Sequence, residues 1–268
     1  MSARESGGRR FPRGFATSVR RTTTLLSIGL RENARNSVLV GLLITLPIVF
    51  ITVAIAVTQD AQMPIELTVD GETRTVTRGL PEVHGIAMMP ITSALIAGIV
   101  GLLLMRNART ADGRLVLTGY RAREVIAARF ATLAALSLLV TAVSLVVLAL
   151  DVVPEQPLAF VAATLAVTLL YGLVGMMLGV LVDRLAGLWT VLVAVMLDVG
   201  VFQSPLFAAG DQEWWMTLLP GYHPMQVVLD AGLTSSADAL GHLGWTLAYL
   251  LVVIVMAIVA FYREVRLT

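Results

Sequence analysis

The sequence predicts an all-α polytopic membrane protein that crosses the bilayer six times, and two features of the chain indicate this class. Of the 268 residues, 57% are hydrophobic and only 14% are charged, whereas an ordinary soluble domain carries charge on about a quarter of its residues. The apolar residues are also grouped in blocks of about twenty, the length with which a helix crosses roughly 30 Å of hydrocarbon. This composition largely excludes a soluble globular enzyme.

Six apolar blocks are long enough to form transmembrane helices. The first begins after some thirty-six residues, is too long for the apolar core of a signal peptide and follows no A-x-A cleavage site, so we expect no cleaved leader. An even number of spans also places both termini on one side of the membrane. The predicted spans, which make one transmembrane domain over 37–268, are 37–57, 86–105, 125–150, 158–181, 188–207 and 240–262.

The arginines indicate which side of the membrane is cytoplasmic. Seventeen of the nineteen lie in segments that the six spans place on the same side as the termini. The other two, Arg74 and Arg78, lie among an excess of acidic residues. Because basic residues are concentrated in the cytoplasmic segments of membrane proteins, we predict that both termini are cytoplasmic and that this is a multi-pass protein of the cell membrane.

Two residue types are missing from the composition, and each absence excludes a class of chemistry. The chain has no Cys, which excludes disulfides, thiolate metal sites and Cys nucleophiles. It has no Lys, which excludes a phosphate-binding loop of the GxxxxGK[ST] type. The histidines, His84, His223 and His242, are scattered at the outer ends of the spans, so no metal site is expected. We therefore expect no enzymatic site in this chain, no cofactor bound by it and no nucleic-acid partner.

The segment before the first span is basic and amphipathic. Residues 1–14 are rich in Gly and Arg and are predicted to form a disordered tail. In 15–36, apolar residues alternate with Arg20, Arg21 and Arg31. This pattern is typical of a helix that lies in the membrane interface and directs its arginines to anionic headgroups. We predict such an interfacial helix on the lipid bilayer; the alternative is a longer disordered basic tail.

The first outer loop carries the pattern of a β-hairpin. Two short runs of alternating apolar and polar residues, 65–69 and 72–76, flank Asp70-Gly71. Asp-Gly closes a type I′ turn because both residues tolerate a positive φ. We predict a small outer hairpin, which could be a gate or partner contact, or simply a folded surface loop.

Two further segments outside the spans contain apolar or aromatic residues that a simple solvated loop does not need. The connection 106–129 mixes Arg with Leu and Val, which fits a short amphipathic element at the cytoplasmic surface as well as it fits a solvated loop. The outer segment 208–239 contains adjacent tryptophans, two prolines and a run from Met225 that favours two helical turns stopped by Gly232. We predict a partly immersed outer helix or hairpin there.

A few polar residues lie within the predicted spans. Asp198 is the one acid well inside a span, where a charge costs about 2.5–3.5 kcal/mol on insertion scales. It could lie on a transport pathway or stabilise a broken helix end, and the sequence leaves both open. The small residues Gly175 and Gly179 favour close packing between two helices. The pathway candidates share a polar side chain near the apolar runs: Asp198, Gln203, Thr168 and Tyr171.

The order of these features resembles a known transporter family. A basic helix before the first span, a charged connection after the second and a Pro-rich outer segment before the sixth resemble the ABC-2 type permease subunits of ATP-binding-cassette (ABC) transporters. Two motifs support the resemblance: Asp112-Gly-Arg-Leu-Val-Leu-Thr-Gly-Tyr-Arg121, with Arg129 after it, and Leu219-Pro220-Gly-Tyr-His-Pro224. The resemblance extends from Phe15 to the carboxyl end.

The resemblance implies a dimeric permease that a separate ATPase powers. Each permease subunit would pair with a second, identical or similar, and would dock an ABC ATPase subunit that binds ATP and Mg²⁺. The helix 15–36 and the connection 106–124 would transmit closure of the ATPase, and the implied use is export of an amphiphile such as a drug, natural product or lipid. The residues expected to couple the permease to the ATPase are Asp112, Arg114, Arg121, Arg123 and Glu124.

Two other functions stay open at the level of sequence. A secondary transporter could move protons through Asp198, but such proteins ordinarily have corresponding broken helices in two halves, and this sequence has no evident repeat. A membrane anchor or assembly factor without transport would need no ATPase partner. An open reading frame for an ATPase next to the one that encodes this chain would favour the ABC permease over these two alternatives.

Overall fold

Helices dominate the structure, a computed structural model that describes residues 13–69, 72–117, 120–206, 214–236 and 238–267. One two-stranded sheet, β1 (Gln62–Val69) with β2 (Glu72–Gly79), interrupts them. A π-helical segment, Met196–Phe202, and two 3₁₀ turns, Trp214–Leu218 and Asp238–Gly241, lie between the α-helices. The α-helices are α1 (Arg13–Arg35), α2 (Ser37–Val57), α3 (Leu80–Leu117), α4 (Ala122–Leu148), α5 (Pro157–Leu181), α6 (Arg184–Val195), α7 (Tyr222–Leu233) and α8 (His242–Leu267).

Six helical stretches among the described residues are long and apolar enough to cross a membrane. This confirms the predicted all-α polytopic fold with six spans. The predicted span ends differ from the observed ones by a few residues. The six stretches are Ser37–Val57, Leu80–Asn107, Ala122–Leu148, Pro157–Leu181, Arg184–Phe202 and His242–Arg263.

α1 occupies the stretch where the sequence predicts an interfacial helix, 15–36. Residues 1–12 of the predicted disordered tail lie outside the described residues. A single residue, Asn36, separates α1 from α2, and its side chain accepts a hydrogen bond from the Leu39 N–H at 3.2 Å. This N-cap satisfies one of the free donors of the first turn and fixes where α2 begins. That α1 lies in the membrane interface stays a prediction.

α3 is much longer than its predicted span, 86–105. It begins at Leu80, where Pro81 suits the first turn because the N–H that proline lacks would have no partner inside the helix. It continues to Leu117, so the first half of the connection 106–129 is the continuation of α3 and not a separate element. The Ala and Arg residues after position 105 are good helix formers, which explains why the helix outlasts the apolar run.

α3 and α5 pack with their backbones in contact. A Cβ atom built on Gly175 would lie 2.0 Å from the carbonyl oxygen of Gly98, and one on Gly179 would lie 2.7 Å from that of Leu102. Real side chains do not approach so closely, so glycine is required at both positions on α5. The structure thus places Gly175 and Gly179 on the face of α5 that packs against α3, as small residues do in membrane helix pairs.

β1 and β2 form an antiparallel hairpin in the loop between the first two spans. Their register pairs Val69 with Glu72, which leaves a two-residue connection. Those two residues, Asp70-Gly71, lie outside the described residues. Ile65 of β1 is buried in the main apolar core, so the hairpin packs on the helices. We call the end of the bundle that carries it the hairpin end, and the end where α1 meets the start of α4 the α1 end.

α6 changes from α-helical to π-helical geometry within the predicted span 188–207. It begins after Asp183, whose side chain accepts hydrogen bonds from two backbone N–H groups of the first turn at 2.9 Å. From Met196 to Phe202 the helix is π-helical, and the N–H of Gln203 donates to the carbonyl oxygen of Asp198 at 3.1 Å. Because a π-helix has more residues per turn than an α-helix, the helix of this span is wider near its end.

α7 lies inside the bundle, packed against α3, α5 and α8. All of its residues except His223 are buried. The expectation that Gly232 stops this helix is wrong, since α7 continues to Leu233. Gly232 is a packing position: a Cβ atom there would lie 2.6 Å from the side chain of Ile86 on α3. The close approach of two helices, and not helix termination, explains this glycine.

Candidate functional site

A buried carboxylate joins three elements near the hairpin end. Asp198 lies in the π-helical segment and is 5% exposed. The Tyr171 hydroxyl of α5 donates to its Oδ2. The Gly221 N–H, just before α7, donates to the same oxygen at 2.8 Å, and Gln203 Nε2 donates to Oδ1 at 3.3 Å. We call these four residues the Asp198 junction.

Local backbone geometry makes the Asp198 junction possible. A Cβ atom on Gly221 would lie 2.8 Å from Asp198 Oδ2, at the distance of the hydrogen bond itself. A side chain at position 221 would therefore displace the carboxylate or the turn before α7. Asp198 is also part of a π-helical segment, a geometry that is rare in proteins and frequent at functional sites. Hydrogen bonds from three donors offset the cost of burying a carboxylate.

The structure brings three of the four pathway candidates together. Asp198, Gln203 and Tyr171 are hydrogen-bonded to one another through the carboxylate. Thr168 lies one turn before Tyr171 on α5, buried, and its hydroxyl donates to the Thr164 carbonyl at 2.7 Å. Sequence reasoning missed Gly221. Its position inside the Pro-rich motif before the sixth span is the signal that could have found it.

A second buried carboxylate joins α1 to α4 at the α1 end. Glu124 is 3% exposed and lies in the first turn of α4. Its Oε2 accepts a hydrogen bond from the Arg121 N–H at 3.1 Å and lies 3.7 Å from the Arg21 guanidinium of α1. The side chain of Ser18 on α1 also hydrogen-bonds to Glu124. The Arg21 guanidinium lies over the Tyr120 ring, 5.4 Å from its centroid, which is cation–π geometry.

These residues, Ser18, Arg21, Tyr120, Arg121 and Glu124, form what we call the α1–α4 contact. The sequence predicted two of them, Arg121 and Glu124, as coupling residues. It missed the partners on α1, because an amphipathic pattern shows which residues are basic but not which of them meets an acid.

The other predicted coupling residues lie nearby along the chain. Arg123 is exposed in the first turn of α4. Asp112 and Arg114 lie in the part of α3 that extends beyond the apolar span, and their side chains are outside the described residues. All five predicted residues therefore lie between the last part of α3 and the first turn of α4, and Arg121 and Glu124 are in contact with each other.

Two histidines that are distant in sequence meet at the hairpin end. Nδ1 of His223 on α7 lies 2.9 Å from Nδ1 of His242 on α8. The His223 ring stacks on Trp245, with 5.6 Å between the ring centroids. Within the described ranges, the structure has no group of three or more His, Cys, Asp or Glu side chains that could hold a metal ion. The direct contact between the two rings joins α7 to α8.

Residues 83–259 match a family model described as ABC-2 family transporter protein. The match covers about two thirds of the chain, from the first turn of α3 into α8, and includes the Asp198 junction and Glu124. The chain belongs to the ABC-2 transporter family. The resemblance found in the sequence is thereby confirmed. No curated protein matches the chain.

As an ABC-2 family member, the chain is a membrane permease of an ABC transporter, a transmembrane component without its own ATPase site. Membership implies partnership with an ABC ATPase. α1 and α2 precede the matched residues. The permease therefore combines the family-matched helices with an amino-terminal segment that includes α1, and the α1–α4 contact joins the two.

Proposed function

We propose that this ABC-2 permease is one of two transmembrane subunits of an ABC exporter that a separate ATPase subunit powers. The second permease subunit is identical or similar to the first. The ATPase binds ATP and Mg²⁺, and this chain supplies the membrane pathway. In this proposal the complex lies in the cell membrane, both termini are cytoplasmic, and the exported substrate is an amphiphile such as a drug, natural product or lipid.

The α1–α4 contact is the observation that carries the proposal. Glu124 is buried at the start of a transmembrane helix and is bonded both to α1 and to the end of the α3–α4 connection. A helix is rigid along its axis because each residue is hydrogen-bonded to the next turn. Displacement of α1 or of the connection by a docked ATPase would therefore be transmitted to α4 as a whole.

The charge of the α1 end supports docking of a partner there. The arginines at positions 20, 31, 35, 123 and 184 are all exposed. Such a basic surface is complementary to an acidic protein surface and to anionic headgroups. The same arginines are among the seventeen that support a cytoplasmic α1 end, the side of the membrane where ATP is available.

The geometry of Asp198 weighs against the proton-coupled alternative. A proton-translocating acid must exchange its proton with neighbouring groups or water. The Asp198 carboxylate is instead held by three donors from the protein, and one of them is a backbone N–H. That arrangement stabilises helix positions, and two of the three donors, the Gly221 and Gln203 amide groups, do not relay protons.

The proposal is tested by one substitution at each end of the bundle. Glu124→Gln keeps the size of the side chain and removes the charge that Arg21 neutralises. We expect ATP hydrolysis by the purified complex to fall about tenfold, the effect of 1.4 kcal/mol, or the amount of co-purified ATPase to fall equally. Glu82→Gln is the matched control, because Glu82 lies at the hairpin end and is paired with Arg78 at 3.6 Å.

The two variants are expected to differ in ATP hydrolysis and in ATPase recovery if the proposal is correct. Wild-type ATP hydrolysis and ATPase recovery are expected for Glu82→Gln, and a loss for Glu124→Gln. Unchanged hydrolysis and unchanged ATPase recovery in Glu124→Gln would contradict a coupling role for the α1–α4 contact.

A further inference from the structure

The two ends of α7 are attached to the bundle in different ways. At its carboxyl end, Arg78 of β2 donates to the Leu233 carbonyl from Nε at 3.0 Å and from a terminal nitrogen at 2.7 Å. The backbone N–H of Gln156 donates to Ala231 O at 2.8 Å, and its side chain donates to Thr234 O at 3.0 Å. Several bonds, to the hairpin and to the α4–α5 connection, thus fix this end.

The amino end of α7 is attached to α5 and α6 through one carboxylate. Asp198 accepts from Gly221 at 2.8 Å, while Tyr171 and Gln203 hold the carboxylate in place. The neighbouring groups of this end bond to α8 instead: the Tyr249 hydroxyl donates to Leu218 O at 3.0 Å, and His223 meets His242. Among the described residues, the hydrogen bonds between the start of α7 and the pair α5–α6 are therefore those of the Asp198 junction.

Apolar packing completes the attachment of α7 without fixing its position along the boundary. The side chains of Met225, Val228 and Leu229 are buried in the main core, which also contains Phe160 of α5. Apolar contacts are not directional, so helices can shift against one another while their surfaces stay covered. A buried, charge-assisted hydrogen bond has a defined geometry and is either made or broken.

We propose that Asp198 is a positioning residue that latches the amino end of α7 to α5 and α6, and that the transport cycle releases and remakes this latch. The fixed carboxyl end of α7 acts as the pivot. The role in the cycle rests on the proposed function as an ABC permease, whereas the latch itself is a property of this chain alone.

The absence of cysteine from the chain allows a direct test. Val228 is 0% exposed, so Val228→Cys introduces a single thiol that is buried while the latch is closed. The rate of its reaction with N-ethylmaleimide, measured on the full chain in lipid nanodiscs, reports how often α7 leaves its site. This measurement needs neither a substrate nor an ATPase.

The latch is weakened by two conservative variants. Tyr171→Phe removes one hydroxyl donor, and Asp198→Asn removes the charge but keeps the shape of the side chain. Each is expected to raise the labelling rate of the Val228→Cys chain about tenfold, the effect of losing one hydrogen bond to a charged group. Because both act on one contact, the double variant is expected to raise the rate by much less than the product of the two single effects.

Asp230→Asn is the matched control. Asp230 is also a buried carboxylate, on α7 itself, but it accepts from Thr234 at 2.6 Å and from Ala239 at 3.0 Å, both in the segment that follows α7. The labelling rate of this variant is expected to equal that of the wild-type background. Melting temperatures of all variants show whether a change in labelling comes from general loss of stability.

Three outcomes would overturn the proposal. The latch is overturned by unchanged labelling in Tyr171→Phe and Asp198→Asn, or by an equal increase in Asp230→Asn. Its role in transport is overturned if ATP leaves the labelling rate unchanged in a complex that hydrolyses ATP. A complex without any ATP hydrolysis would instead count against the proposed function. It would not affect the latch, because the labelling rate of the chain alone is measured without an ATPase.

Discussion

Gly101 is a residue of α3 at which the backbone of α5 leaves no room for a side chain. A Cβ atom at this position would lie 2.1 Å from the carbonyl oxygen of Gly172 and 3.0 Å from the backbone nitrogen of Met176. Both neighbours are backbone atoms, which cannot rotate away as a side chain does. A methyl group at position 101 would therefore separate the two central helices of the bundle.

We expect Gly101→Ala to destabilise the permease by about 1–3 kcal/mol, the usual cost of overpacking a core. The matched control is Gly41→Ala on α2, where a Cβ atom has nothing within 4 Å. At an unhindered helical position, alanine favours the helix by up to about 1 kcal/mol over glycine. Thermal unfolding in detergent measures both, and equal melting temperatures for the two variants would contradict the close approach of α3 and α5.

The residues of the Asp198 junction could be predicted from the sequence only one at a time. A carboxylate in an apolar span is conspicuous because burying it is costly, and Tyr171 and Gln203 are polar in similar surroundings. That all three meet depends on how α5 packs on α6, which no local pattern encodes. Gly221 supplies only a backbone donor and has no functional side chain, so its place in the Pro-rich motif is the signal that the sequence offers.

Between the elements α7 and α8 lies a contact that two protonated imidazoles cannot make. One Nδ1 of the pair His223–His242 must donate and the other must accept at 2.9 Å. Tyr222, Trp245 and Tyr249 surround His223 with aromatic rings. Burial and the adjacent His242 imidazole lower the pKa of His223.

This pKa shift predicts that acid weakens the attachment of α7 to α8. In the unfolded chain His223 takes up a proton near its ordinary pKa of 6.5, whereas the folded protein resists protonation. The stabilisation is therefore complete above pH 6.5 and is lost as the pH falls through the lowered pKa. Melting temperatures of the wild type and of His223→Gln should differ less at about pH 5.5 than at about pH 7.5. A constant difference would contradict the neutral pair.

Element types were predictable where a local signal fixes them. The hairpin β1–β2 follows from Asp70-Gly71 between alternating runs, and the spans follow from the length of the apolar blocks. The end of α3 was not predictable from hydropathy, because helix propensity carries it past the membrane-length run to Leu117. Gly232 was wrongly predicted to end α7. Glycine is needed there because Ile86, which lies far away in sequence, leaves no room for a side chain.

At the scale of the whole molecule, the two ends of the bundle differ in charge while its flank is apolar. Large apolar side chains such as Val53, Trp189 and Leu251 are about half exposed or more. Surfaces of this kind are stable against lipid and liable to aggregate in water. The six-span fold and its family could be predicted from this pattern; the substrate could not, because generic apolar and hydroxyl side chains carry little chemical specificity.

The charge difference predicts the orientation of the permease in the cell. Two exposed positions report it, Thr77 in β2 at the hairpin end and Ala34 in α1 at the α1 end. With no other cysteine in the chain, a membrane-impermeant maleimide should label Thr77→Cys in intact cells. Ala34→Cys should be labelled only after the cells are permeabilised, as the positive-inside rule requires. The reverse pattern would place the ATPase-docking surface on the wrong side of the membrane.

The proposed function requires that this permease subunit take its energy from another polypeptide. Native mass spectrometry of the chain, purified from its own membranes in lipid nanodiscs, measures this directly. The predicted result is a complex of two permease subunits with two copies of a nucleotide-binding ATPase that hydrolyses ATP. Recovery of the chain as a single copy, with no nucleotide-binding polypeptide in any preparation, would contradict the claim.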